Sequence, residues 1–217
     1  HQHYPADETL WARNHRRSPL YDRLAGLGAE FGEKNGWERV NFFRPGEPSR
    51  QAADDQHQWG WGRAPYHDLI RAECLAARER SALFAMTSFG QFYVRGPGAL
   101  GLLQRVACNN IDRPNGLLVY TQFLNANGGI ESHLTVCRLA SNRFRVITGT
   151  SFLSNDLEWM RSYAPAHGSV DVRAVTDVFS CHLMLGPDAL DVLGQATGDH
   201  PSNDAFPSVS YTHFFHL

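Results

Sequence analysis

Lysine is almost absent from this sequence. Lys34 is the one lysine among 20 basic residues, and all the others are arginine. Because this bias runs along the whole chain, it indicates genomic composition rather than a binding function. The net charge of −2 provides no excess of positive charge for nucleic acid. No apolar run approaches the ~18 residues that a membrane span requires, so neither a nucleic acid nor a membrane is an expected partner.

Cysteine is also sparse. The four cysteines (Cys74, Cys108, Cys137 and Cys181) are far apart and lie among apolar or small residues. This spacing argues against a zinc site and predicts four small buried side chains in a reducing compartment. The bacterial cytoplasm and the mitochondrial matrix are the compartments that we expect.

The common signatures of nucleotide binding and nucleophilic catalysis are missing. No Gly-x-Gly-x-x-Gly follows a predicted strand, and the sequence contains no P-loop and no nucleophile elbow. Histidines occur near both ends, in "HQH" at 1–3 and "HFFH" at 213–216. A metal site needs further ligands close in space, so no metal is predicted.

The composition is otherwise that of an ordinary globular protein. Hydrophobic residues make up 42% of the chain and charged residues 19%. Its 217 residues suffice for one large domain or for one domain plus an appendage. The chain starts without Met and stops inside an apolar stretch, "SYTHFFHL". We therefore interpret it as a fragment of a longer polypeptide.

Helical and strand patterns alternate along the chain. Ser18 and Pro19 fit a helix start, leucines follow at helical spacing, and this helix is expected to end at Gly32 or Gly36. Residues 44–63 are rich in Pro, Gly, Gln and Asp, which predicts a long loop. The elements predicted after this loop are a helix within 64–84, a strand at 90–97, a helix at 98–111, three strands at 116–125, 129–139 and 142–149, a helix at 151–164, one or two strands within 170–187, a helix at 188–198 and a last strand at 206–217.

These elements predict an α+β fold, in which helices pack on an antiparallel sheet. The three central strands are joined by tight turns, so we expect a meander. Residues 93–106 and 183–196 form a weak internal repeat, each a strand, a Gly-Pro pair and a helix. If both units pack on one sheet, they make a pseudo-symmetric layer.

The strand "IESHLTV" places different chemistry on its two faces. Alternation puts Ile130, Leu134 and Val136 on one face together with Ser132, and it puts Glu131, His133 and Thr135 on the other. The first face is a core face. The second is either a solvated outer face, which the pattern alone favours, or the floor of a polar pocket.

Four blocks of sequence resemble a known family. They are "RRSPLYDRLAGLGAEFGEKNGWERVNFF", "SALFAMTSFGQFYVRGPGALGLLQRVACNNI", "YTQFLNANGGIESHLTV" and "FRVITGTSFLSNDLEWM". The chain resembles the aminomethyltransferase (T-protein) family of the glycine cleavage system. It is more similar still to the module in the C-terminal half of dimethylglycine and sarcosine dehydrogenases. The resemblance runs from about Arg16 to the end, with the blocks in the family's order.

This resemblance implies an incomplete folate-binding domain that lacks the family's C-terminal barrel. Residues 1–15 would be a linker from a preceding domain, 16–63 the N-terminal helix and long loop, and 64–217 the truncated folate-binding domain itself. The implied cofactor is tetrahydrofolate, which accepts a one-carbon unit. FAD is expected only on an N-terminal domain outside this chain, and that flavin domain would be the intramolecular partner.

The resemblance also implies the residues of the site. Tyr120 matches the family's tyrosine and suits a pterin ring. His133 takes the place of the key carboxylate and is the expected catalytic residue, while Phe89, Glu131 and Ser132 are the other expected cofactor-binding residues. Ala85 replaces a second acid of the family. A neutral imidazole can accept a proton near pH 7, but it supplies no fixed negative charge.

Two functions follow from this resemblance. One is a tetrahydrofolate-dependent methylene-transfer module of a flavin-dependent N-demethylating dehydrogenase, and we favour it. The other is a non-catalytic regulatory or interaction relative, of the kind represented by the pyruvate dehydrogenase phosphatase regulatory subunit.

Overall fold

The computed structural model of the chain describes Glu8, Trp11, residues 13–47 and 61–198, Ser202, Asp204 and residues 206–210. The helices of this part are α1 (Tyr21–Gly26), α2 (His67–Glu79), α3 (Ala99–Val106), α4 (Leu153–Ser162) and α5 (Ala189–Thr197), with a 3₁₀ turn at Thr150–Phe152 before α4. The strands are β1 (Ala29–Lys34), β2 (Trp37–Phe43), β3 (Ala82–Ala85), β4 (Gly90–Arg95), β5 (Leu118–Leu124), β6 (Ile130–Ala140), β7 (Arg143–Thr148), β8 (Asp171–Ala174) and β9 (His182–Leu185). The predicted α+β class is confirmed.

The chain divides into two compact units. The first comprises His1–Ser88 and Ser180–Val192, and the second comprises Phe89–Phe179 and Leu193–Leu217. Among the helices of the described residues, none has the length and the apolar composition of a membrane span.

The first unit contains two small antiparallel sheets, β1–β2 and β3–β9. The predicted long helix after Ser18 is wrong, because α1 ends at Gly26 and the hairpin β1–β2 follows it. Asn35 and Gly36 both have positive φ and form the two-residue turn between the closing pair Lys34 and Trp37. An Asn-Gly turn between apolar residues is a strong hairpin signal, and here it overrides the helical spacing of the leucines.

A buried ion pair closes this hairpin. The Arg13 guanidinium lies 2.6 Å from the Glu38 carboxylate, and both side chains are nearly inaccessible to solvent. Arg13 also donates to the Phe31 carbonyl oxygen, and the Asn14 amide donates to Glu38. Hydrogen bonds from Arg13 and Asn14 lower the pKa of Glu38, although burial, the largest single influence, acts in the opposite direction.

The second unit is built on one five-stranded antiparallel sheet with the order β5-β6-β7-β4-β8. The predicted meander of β5, β6 and β7 is confirmed. Alternate residues of each strand pack against α3 and α4 to form the core, which includes Phe92, Phe123, Leu134, Val136, Phe144, Val146, Leu103 and Met160. We call the opposite side of the sheet the polar face; its residues include Tyr120, Gln122, His133, Thr135, Gln91, Tyr93 and Arg145.

The two strand–Gly-Pro–helix units both occur in the structure, as β4–α3 and β9–α5. Their glycines, Gly96 and Gly186, have φ of 116° and 122°, and an added Cβ would overlap a carbonyl oxygen of Ser169 or Arg80. The same backbone requirement therefore explains both glycines. These two strand–Gly-Pro–helix segments do not share a sheet. Strand β9 pairs with β3, whereas β4 lies in the five-stranded sheet.

Three further predictions have mixed outcomes. Residues 44–47 and 61–63 have no helix or strand, and the rest of the predicted loop lies outside the described residues. The predicted last strand lies largely outside them too, although Ser210 bridges to Leu117. Among the cysteines, Cys137 is buried, but the prediction of burial is wrong for Cys74 and Cys108, which are exposed. Cys74 is carried by α2, which has no buried residue.

Candidate functional site

Tyr120 and His133 come together on the polar face, at the hairpin of β5 and β6. Gln122 is the partner of His133 and Thr135 the partner of Tyr120, so Tyr120 and His133 are diagonal neighbours. The Tyr120 hydroxyl lies 3.5 Å from His133 Nδ1. The tyrosine side chain is 60% exposed and His133 is also exposed. The two side chains thus present an aromatic ring and an imidazole on an accessible surface.

Glu131 belongs to the same hairpin but is held by its turn. Its carboxylate accepts a hydrogen bond of 2.7 Å from the Asn125 side-chain amide. The side-chain oxygen of Asn125 accepts hydrogen bonds from the backbone amides of Asn127 and Gly129, and these bonds organise the turn. Glu131 makes no hydrogen bond to His133 within the described part of the chain.

A β-bulge at Glu131 changes the alternation expected for this strand. Phe123 pairs with Ser132 and Leu124 with Ile130, so Glu131 has no partner of its own. The expectation that Ile130 joins the core face is therefore wrong, and this side chain is 64% exposed. Beyond the bulge the predicted alternation is confirmed, since Leu134 and Val136 are buried.

Ser132 lies on the core side of the sheet, away from the other site residues. It is 2% exposed, and its hydroxyl donates a 2.9 Å hydrogen bond to the carboxylate of Asp156 in α4. Asp156 is completely buried, and this burial raises the pKa of its carboxyl group. Hydrogen bonds from neighbouring side chains lower that pKa, but they offset only part of the effect of burial. Ser132 thus holds β6 against α4 from behind the site.

The remaining predicted positions are on other strands. Phe89 is half-buried and immediately precedes β4, which is separated from β6 by β7. Ala85 ends β3 in the first unit, where it lines a cavity of about 260 Å³ together with Glu73 and Arg39. Burial raises the pKa of Glu73, which accepts a hydrogen bond from the Phe43 amide.

Sequence reasoning missed Gln122, Asn125 and Asp156. A signal for Asp156 was present, because it falls on the helical stripe of Leu153, Leu157 and Met160, where a charged residue is unusual. Gln122 is on the same strand face as Tyr120 by simple alternation. Asn125 is an Asx residue that opens a glycine-containing turn.

No metal centre emerges from the part of the chain that the structure describes. It contains no group of three or more His, Cys, Asp or Glu side chains that could hold an ion. The histidines at 1, 3, 213 and 216 lie outside the described residues.

The fold is that of a glycine cleavage aminomethyltransferase. The crystal structure of aminomethyltransferase T from Bartonella henselae matches with a TM-score of 0.68 and 23% identity, over 87% of this chain and 45% of that one. Residues 20–216 match the GCVT N-terminal domain. The chain belongs to this family.

Two relatives are close in sequence. The mitochondrial sarcosine dehydrogenase of Mus musculus is 33% identical over 94% of this chain and 26% of its own length. The mitochondrial pyruvate dehydrogenase phosphatase regulatory subunit of Mus musculus is 31% identical over 91% of this chain and 22% of its own length. The chain thus spans about a quarter of the length of these relatives.

Proposed function

We propose that this chain is the tetrahydrofolate-binding, one-carbon transfer module of a flavin-dependent N-demethylating dehydrogenase of the sarcosine or dimethylglycine type. The observation that carries this proposal is the contact between Tyr120 and His133 on the polar face of a GCVT domain. These positions are where the family resemblance implies the pterin-binding tyrosine and the key polar residue.

The residues on this face fit a pterin. The exposed ring of Tyr120 offers a flat apolar surface with a polar end. Gln122 and Thr135, the strand partners of His133 and Tyr120, add hydrogen-bonding groups beside it. When bound, tetrahydrofolate would supply the nitrogens that accept a one-carbon unit at the oxidation level of formaldehyde.

His133 would act as a hydrogen-bond partner or base in this site. A Tyr120 hydroxyl that donates to Nδ1 selects the tautomer of the neutral imidazole with its proton on Nε2. That proton can be donated to an acceptor on the ligand, and Nδ1 can take up a proton if the hydroxyl turns away. Glu131 does not replace the missing acid, because Asn125 already holds its carboxylate.

The test is the substitution His133→Asp, which restores a carboxylate. We expect tetrahydrofolate to bind more tightly, because a charged acceptor makes a stronger hydrogen bond than a neutral one, by roughly 1 kcal/mol. The measurement is titration calorimetry on the product of the complete gene. The matched control is His167→Asp, the same change at an exposed turn position of the same unit, which should leave the affinity as it is. Weaker binding by the His133 variant than by wild type would contradict the assigned role.

A second candidate function is a non-catalytic regulatory or interaction module. Neutral residues at positions 85 and 133, where the resemblance implies acids, favour it, and so does the similarity to the phosphatase regulatory subunit. Absence of tetrahydrofolate binding by both wild type and the His133→Asp variant would support this function over transfer.

A further inference from the structure

Arg145 is a half-buried cation on the polar face that contacts no carboxylate in the described part of the chain. Its Nη2 donates a 2.8 Å hydrogen bond to the Tyr93 hydroxyl, and its buried Nε has no hydrogen-bond partner among the residues that the structure describes. Three other arginines of this unit each contact a carboxylate: Arg95 with Asp171, Arg138 with Asp112 and Arg161 with Glu158. Arg145 therefore differs from these arginines in having no carboxylate partner among the described residues.

Two aromatic rings hold the Arg145 guanidinium. Its central carbon lies 4.2 Å from the centre of the Phe179 ring and 5.2 Å from that of Tyr93. Cation–π contacts offset part of the cost of withdrawing the charge from water. They also fix the plane of the guanidinium, so less entropy is lost when a carboxylate binds to it.

Arg145 lies on the same face as His133 and at a fixed distance along the sheet. Its strand partner on β6 is Cys137, four residues from His133, which corresponds to about 13 Å along the strand. The face thus has an aromatic–imidazole end and, farther along the strands, a cation that contacts no carboxylate of the described residues.

We propose that Arg145 binds a carboxylate of the glutamate part of a reduced folate whose pterin lies against Tyr120 and His133. This inference rests on the proposed function. A folate is a long molecule with a heterocycle at one end, an amide in its connecting part and carboxylates at the other end. The order of groups along the polar face matches this order, with Tyr120 and His133 at the heterocycle and Arg145 at the carboxylates.

The experiment compares two probes on the product of the complete gene by titration calorimetry. One is 5-formyltetrahydrofolate, and the other is the corresponding pteroate, which lacks the glutamate. We expect wild type to bind the glutamate-bearing probe about tenfold or more tightly, since hydrogen bonds between charged groups exceed neutral ones. Arg145→Gln should remove this difference and leave the affinity for the pteroate unchanged. The control Arg143→Gln makes the same change in charge on the same strand and should keep the difference.

Each outcome decides the inference. Equal affinities of wild type for the two probes would overturn it, and the proposed function would stand because the pterin still binds. An equal loss for both probes in the Arg145 variant would also overturn it, since that result assigns Arg145 a structural role. If neither probe binds to wild type, the inference and the proposed function both fail. Should the variant not fold, the wild-type difference must still shrink as salt rises, because exposed charge pairs are screened.

Discussion

At the scale of single residues, the site depends on how neighbouring side chains of one strand are divided between two faces. Tyr120 is largely exposed, whereas Thr121, the next residue, is fully buried. Likewise His133 is exposed between Ser132 and Leu134, which are both buried. The buried neighbours anchor β5 and β6 to the core. They therefore hold in place the backbone that carries the exposed side chains of Tyr120 and His133.

The ring of Tyr120 should contribute more to folate binding than its hydroxyl. We expect Tyr120→Ala to weaken tetrahydrofolate binding by roughly 1–3 kcal/mol, as for aromatic residues that stack on a nucleobase. Tyr120→Phe keeps the ring and loses the contact with His133, so its loss should be smaller. Titration calorimetry on both variants makes the comparison, and equal losses would show that the hydroxyl carries the interaction.

At the scale of elements, the link between α4 and β6 holds the back of the site. Asp156 is the buried end of this link and accepts the Ser132 hydroxyl. Because burial raises its pKa in the folded state, the folded protein binds this proton more tightly than the unfolded chain does. Stability is therefore lost as the pH rises from the unfolded pKa toward the folded one.

The substitution Asp156→Asn should remove this cost, because the amide keeps an acceptor oxygen and carries no charge. We expect the free energy of unfolding of the variant to exceed that of wild type by an amount that grows with pH and is on the order of 1 kcal/mol at neutral pH. Near pH 4, about the ordinary pKa of an aspartate, the two proteins should differ little. Urea unfolding at several pH values measures the difference. The exposed Asp191 of α5 provides the control Asp191→Asn, for which no such trend is expected. A difference that does not vary with pH would contradict the account.

At the scale of the whole molecule, the proposed oxidation step needs residues beyond those of this chain. The relatives are about four times as long as the segment they share with it. We predict that the complete reading frame encodes a Gly-x-Gly-x-x-Gly in a strand–helix context upstream, because FAD binds to that motif. Sequencing the gene and recording the flavin absorbance of its purified product check this. A complete reading frame without the motif would contradict the proposed dehydrogenase function, and the proposed folate binding would be unaffected.

How well sequence patterns predicted an element depended on how local its determinants are. The strands β5, β6 and β7 and the helices α3 and α4 have clear periodicity and short turns, and all were predicted. The hairpin at Asn35–Gly36 was equally local, but the leucine spacing before it obscured the turn. Of the site, Tyr120 and His133 were predicted through a family resemblance. Alternation placed Ser132 on the core face, but its partner Asp156 was not predicted.

The sequence by itself determined the α+β class, the central meander, the family and the two residues at the centre of the candidate site. Periodicity, turn residues and motif order are properties of short segments, so they can be read before the chain folds. Only the tertiary structure decided that Ser132 binds Asp156, that Glu131 belongs to the turn and that Arg145 lies between Tyr93 and Phe179. Most of these contacts join residues far apart in the chain, and a bulge at Glu131 shifts the alternation locally, so strand period alone does not reveal them.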